Sequence, residues 1–131
     1  MHRMKTLLAA VIASFVLSPA MAADFDGSKF LVCATLEARD CVMGAECFTG
    51  LPDKVGAPEF IRIDFANKMM VGAKSNSPIV AMESSETQVL LQGKEGEYGW
   101  SFALDQASGH FSASLTDTGG SFLLFGSCTP Q

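Results

Sequence analysis

The chain has little from which an active site is usually assembled. It has two histidines, one tryptophan and one tyrosine in 131 residues, and only 18% of its side chains are charged. No two of its cysteines stand in the Cys-x-x-Cys spacing and no histidine lies near them, which argues against a zinc or thiol-redox centre. There is no basic patch and no interleaving of aromatics with Lys or Arg, so nucleic acid is not an expected partner. A phosphate-cradling glycine loop ahead of a helix is missing. The longest apolar run, Leu7 to Leu17, falls short of the roughly 20 residues that span a bilayer as a helix. No mature stretch carries a helical period over any length.

What the first residues do carry is an export signal. Met1-His-Arg-Met-Lys5 is basic, the Leu7–Leu17 core follows, Ser18-Pro19 breaks it, and Ala20-Met21-Ala22 places small residues where a signal peptidase reads. The expected organisation is a signal peptide over 1–22 and a single β-barrel-like domain over 23–131, exported to the periplasm or secreted, with no membrane span after cleavage. Arg3 and Lys5 are lost with the signal, so 7 of the 9 basic residues face all 14 acidic ones, a net charge of −7. That balance suits a soluble acidic surface.

The pattern of strands is clearest over residues 98–115. Tyr98, Trp100, Phe102 and Leu104 share one parity, and Gly99, Ser101, Ala103 and Asp105 the other, which is a half-buried strand. Asp105 to Gly109 is turn chemistry, and Phe111, Ala113 and Leu115 resume the alternation. Further strands are expected at 29–37, 60–65, 69–73, 79–82, 87–92 and 121–125, joined by short polar turns. The 39–58 connection is the one long loop, with room for a single helical turn between 42 and 57. Eight short strands in a meander predict an all-β antiparallel fold, an up-and-down barrel in the first place and two packed sheets in the second.

The even set Cys33, Cys41, Cys47 and Cys128 in an exported chain predicts disulfides. The favoured pairing is Cys41–Cys47, closing a short loop around Gly44, with Cys33–Cys128 joining the first strand to the last. That second bond favours closure into a barrel. Alternate turns of a meander lie at opposite ends. One end then collects the 38–57 loop and the turns at 74–77, 93–96 and 117–120. It would gather Arg39, Asp40, Lys74, Asn76, Lys94, Glu95 and Asp117, which form the candidate interaction surface. Phe122 and Leu124 on one parity and Leu123 and Phe125 on the other make the last strand apolar on both faces. Cover by the N-terminal segment or the long loop is the expected reason, and a partner surface is the other.

Cys33-Ala34, Cys41 with Cys47, Pro58-Glu-Phe-Ile-Arg-Ile-Asp64, Ser77-Pro-Ile79, Leu91-Gln-Gly93, Gly99-Trp-Ser with Asp105 and Ser108-Gly109, and Phe125-Gly-Ser-Cys128 together resemble a group of small, secreted bacterial proteins of unknown function. The resemblance implies an exported bacterial domain and carries over no catalytic residue. Periplasmic barrels that inhibit lysozyme share the size, compartment and all-β build, but their Ser-Gly and Tyr loop signature is missing here.

Four places in the chain carry residue types that could support chemistry. His110 lies beside Asp105 and several serines, but its strand parity points it to the exposed side. Asp24-Phe-Asp26-Gly27 opens like a calcium loop and lacks the remaining ligands, so a frayed acidic N-terminus is expected. Glu83 and Glu86 fall at the opposite end from Glu95 and Glu97, which separates them as an acid/base pair. Met43, Met69, Met70 and Met82 read as core fillers before they read as a copper site. The expectation is a non-enzymatic interaction domain acting on a protein or envelope component, without catalytic residues, metal or cofactor. The alternative is a carrier of a small apolar ligand inside the barrel. Trp100, Phe102, Tyr98 and Phe111 argue against much space there if they point inward.

Overall fold

A computed structural model describes residues 23–131; the signal peptide expected over 1–22 lies outside the described residues. The elements are β1 (Leu31–Val42), β2 (Phe48–Gly50), a short helix α1 (Pro52–Val55), β3 (Phe60–Asp64), β4 (Met69–Val71), β5 (Asn76–Ser84), β6 (Gln88–Glu95), β7 (Tyr98–Asp105), β8 (His110–Thr116) and β9 (Gly120–Pro130). From β3 to β9 each strand pairs antiparallel with the next, and β9 returns to pair with β1 from Leu31↔Pro130 to Val42↔Gly120. The sheet thereby closes into an eight-stranded antiparallel barrel, with β2 as an addition on the edge of β1. Closure leaves no terminal edge to the ring itself.

Strand β1 organises the closure. One of its edges is held by β9 throughout. The other is shared, with Leu31–Ala34 facing β3 and Ala38–Asp40 facing β2. The change of partner coincides with a bulge between Thr35 and Glu37. An extra residue there bends the strand and re-aims the side chains beyond it. The Thr35 hydroxyl is buried at this point and has no hydrogen-bond partner among the described residues. The Cys33–Cys128 disulfide joins directly opposed residues of β1 and β9 and locks the seam from inside.

The interior is filled by side chains at alternate positions: Leu31 and Cys33 from β1, Val89 and Leu91 from β6, Phe102 and Leu104 from β7. Phe102 stacks on Phe111 of β8 with centroids 4.6 Å apart. Trp100 lies across the inner face of β6 where Gly93 leaves it room. Its indole Nε1–H donates to Ser77 Oγ at 2.7 Å, and the Ser77 hydroxyl donates to the Lys94 carbonyl at 3.0 Å. Each buried polar atom in this chain of bonds is therefore matched, which keeps the tryptophan in one orientation.

Several expectations shift. The first strand runs on to Val42, so Arg39 and Asp40 lie inside β1 rather than in the loop. Its bulge and the β9 ladder continue a pattern that looks irregular in sequence. The turn expected at 74–77 is at 72–75, closed by the Gly72 N–H to the Ser75 carbonyl, and Asn76 begins β5. The long connection contains β2 and the one-turn helix α1. Pro52 is buried, and Val55 and Ala57 pack on the core, so this helix is seated beside β1 and β2. The N-terminal residues are not a frayed tail. Phe25 packs on the core with its ring over Gly109, and Asp24 pairs with Lys29 at 2.6 Å. Phe125 remains exposed, with the Arg39 guanidinium 5.7 Å from its ring centroid.

Candidate functional site

The antiparallel registers place the 43–47 loop and the turns at 72–75, 96–97 and 117–119 at one end of the barrel. The turns at 65–68, 85–87 and 106–109 lie at the other. The first end is dominated by the β1–β2 hairpin. β1 stays paired with β9 to its last residue while β2 lies outside the ring on its other edge, and the two are tied by the Cys41–Cys47 disulfide across a separation of six residues. Within the loop the Ala45 N–H reaches the Val42 carbonyl and Gly44 takes φ +81°, a conformation that costs glycine least. The turn and the disulfide together fix the backbone, and they leave Val42, Met43, Phe48 and Leu51 exposed. Met43, at the tip, is 99% exposed.

The seven residues expected to share this end fall into two groups. Arg39, Asp40 and Asp117 belong to the β1/β9 side. Arg39 donates to Glu37 at 3.0 Å and lies over Phe125. Asp40 stands opposite Phe48 on one side and Phe122 on the other. The Asp117 carboxylate accepts from the Gly119 and Gly120 N–H groups at 2.8 and 3.0 Å, so it holds its own turn. Lys74, Asn76, Lys94 and Glu95 belong to the β5/β6 side, where Glu95 accepts from the Ser75 hydroxyl and ties two turns together. Tyr98 of β7 meets Phe122 of β9 at 6.0 Å between the two groups. Of the apolar tip residues, the sequence pattern points to none of Val42, Phe48 and Leu51, and it reads Met43 as a core filler, whereas the side chain is fully exposed. The legible signal was the pair of cysteines around Met43 and Gly44, which holds a short loop too small to bury its own side chains.

A second arrangement concerns His110. The Ser108 hydroxyl and backbone N–H both donate to Asp105 Oδ2, at 2.5 and 2.8 Å, and the His110 N–H donates to Ser108 Oγ at 3.2 Å. The Ser108 hydroxyl bond, chiefly, and its backbone N–H hold the Asp105 carboxyl below its ordinary value, with a smaller contribution from the His110 charge. In a nucleophile relay the imidazole stands between hydroxyl and acid. Here the carboxylate accepts the hydroxyl's hydrogen bond directly, with no imidazole between them, and the bonds are those of a turn. The group borders an open hollow of about 330 Å³ with Thr87, Gln88 and Ser112. A second open hollow of about 260 Å³ lies on the outer wall between Leu90 and the pair Leu123 and Phe125.

Among the described residues no three His, Cys, Asp or Glu side chains are placed to hold a metal ion. The methionines are dispersed: Met43 at the hairpin tip, Met70 in the core, and Met82 beside Gly27 toward the opposite end. No helix among the described residues is long and apolar enough to cross a membrane. The two disulfides are compatible with an oxidising extracellular or periplasmic location. No protein-family model, curated protein or solved structure matches the chain.

Proposed function

We propose that the protein is an exported bacterial interaction domain without enzymatic activity, acting in the periplasm or outside the cell on a protein or envelope component. It belongs, in this reading, with the small secreted proteins its motifs resemble, and it makes contact through the disulfide-tied end. The observation that carries the proposal is the β1–β2 tip, where Met43 stands fully in solvent on a backbone held by Cys41–Cys47. A pre-ordered apolar tip loses little conformational freedom on docking. Burying one such side chain contributes about 1.5–3 kcal/mol. The carrier alternative has no comparable support, since Leu31, Leu91, Phe102 and Leu104 occupy the barrel interior.

The test uses the oxidised protein as bait in periplasmic extract, read by mass spectrometry, beside a Met43→Asp/Phe48→Ser variant. Both positions are exposed, so the variant keeps its fold. A partner held by the parent and lost from the variant, then reproduced with that partner purified, supports the proposal. The same partner held equally by both baits removes the tip from the contact. Absence of any partner counts against the interaction reading as a whole.

A further inference from the structure

At the end away from the tip the barrel has an open strand edge. β4 pairs with β5 only from Asn76 to Pro78, and the Ile79 N–H is taken by the Lys68 carbonyl. Beyond that point β5 continues for five more residues, Val80–Ser84; Val80 is the extra residue of a bulge, and Ala81–Ser84 pair with β6 on one side only. Among the described residues no backbone group bonds to its other side. At about 3.4 Å per residue this is roughly 17 Å of unpaired ladder. Val80 is 77% exposed there, and Met82 is exposed as well. Proteins usually guard such an edge with Lys, Pro or a very short strand. Here Pro78 and the bulge at Ile79/Ala81 lie at its upper limit, and Val80-Ala-Met-Glu-Ser84 itself contains neither Lys nor Pro.

The surroundings of the edge are acidic. Asp24, Asp26, Asp64, Glu83, Glu86 and Asp105 lie at this end, against Lys29 and Lys68. Lys29 is already paired with Asp24. Hydrogen bonds within their turns hold Asp26, Asp64 and Asp105 below the ordinary carboxylate range, so these groups stay ionised in mild acid. A second copy of the chain would bring the same negative end against itself. We propose that the Val80–Ser84 edge accepts an extended, basic segment of another polypeptide, which adds a strand to β5 and places its Lys or Arg side chains among these carboxylates. Ladder hydrogen bonds supply the affinity in such an arrangement, and charge selects the partner. The surface is separate from the tip and does not depend on it.

The test uses the purified, oxidised, isotope-labelled protein and three blocked octapeptides: alternating Val and Lys, the same peptide with every amide N-methylated, and alternating Val and Glu. The expected result is shift changes and slowed amide exchange confined to Val80–Ser84 with the Val/Lys peptide, weakening as salt is raised. Binding of the N-methylated and the Val/Glu peptides should each be weaker by at least about tenfold. Equal binding of the N-methylated peptide would show that charge alone attracts it, and equal binding of the Val/Glu peptide would remove the charge selection. Changes centred elsewhere, or no binding at millimolar peptide, would overturn the proposal. So would a dimer by light scattering whose Val80–Ser84 amides are protected without peptide.

Discussion

Replacing Gly93 by alanine should loosen the barrel where β5, β6 and β7 meet. A Cβ on Gly93 would fall 2.2 and 2.5 Å from Cζ2 and Cε2 of Trp100 and 2.6 Å from the Pro78 carbonyl oxygen. The indole and the β5 backbone confine the new methyl from two directions, so both must move. Forcing one extra carbon into a packed core costs about 1–3 kcal/mol. Displacing the ring also breaks the 2.7 Å bond from Trp100 Nε1 to Ser77 Oγ. A buried donor left unpaired costs about 1–3 kcal/mol more. The sum is about 2–6 kcal/mol, a large share of the stability of a small domain. With a urea dependence of about 1–3 kcal/mol per molar, the midpoint should fall by at least about 0.7 M. Urea titration of the oxidised protein, followed by the fluorescence of its one tryptophan, measures this directly. Ser77→Ala separates the two contributions, because it removes the acceptor and adds no atoms. Its cost should be a hydrogen-bond cost without overpacking, and includes the bond that Ser77 donates to the Lys94 carbonyl. The double variant should cost less than the sum of the singles, since both act through one indole. A Gly93→Ala midpoint within about 0.3 M of the parent would refute the packing argument.

The two disulfides should contribute unequally. Cys33–Cys128 spans 95 residues and Cys41–Cys47 spans six. On the chain-entropy account their losses cost about 4.7 and about 2 kcal/mol. Paired Cys→Ser replacements compared by urea midpoint should show the first far more damaging, and equal losses would contradict the assignment of the seam. Stability should also decline in acid. The carboxyls of Asp26, Asp64 and Asp105 lie below their ordinary value of 3.8 in the folded protein because their turns donate hydrogen bonds to the charged form. Their contribution is present above the unfolded value and is lost as pH falls through the folded ones. Thermal midpoints of the parent should therefore drop below about pH 4. An Asp64→Asn/Asp105→Asn variant should show a shallower drop over the same range, and an unchanged slope would argue against these turns as its source.

Local pattern and long-range pairing are separately legible in this chain. The alternation from Tyr98 to Leu115, interrupted by Asp105–Gly109, appears in the structure as β7, its turn and β8 at the expected places. The inward parity of Trp100, Phe102 and Phe111 was readable because burial on a strand repeats every second residue. The cysteine pairing was readable from spacing and export context, and it pointed correctly to a closed ring. Asn76–Pro78 looked like a turn, since Asn, Ser and Pro are turn residues. In the fold they are strand, because β4 lies beside them and Ser77 is needed inside to accept the Trp100 indole.

The sequence by itself determined the all-β class, the parity of the core strands, the positions of the tight turns other than the one at 72–75, and the covalent links. These depend on neighbours two to six residues away, or on cysteines whose number leaves few choices. Only the tertiary structure decided that β1 changes partner at the Thr35/Glu37 bulge, which carries Arg39 and Asp40 into a strand. It also decided that Phe25 packs against Gly109, that α1 packs beside β1 and β2, and that β5 outruns β4 to leave one edge of Val80–Ser84 open. The physical reason is that a strand's own residues encode which side faces the core. Which backbone lies alongside it, and for how far, depends on chain lengths and bulges distant in sequence.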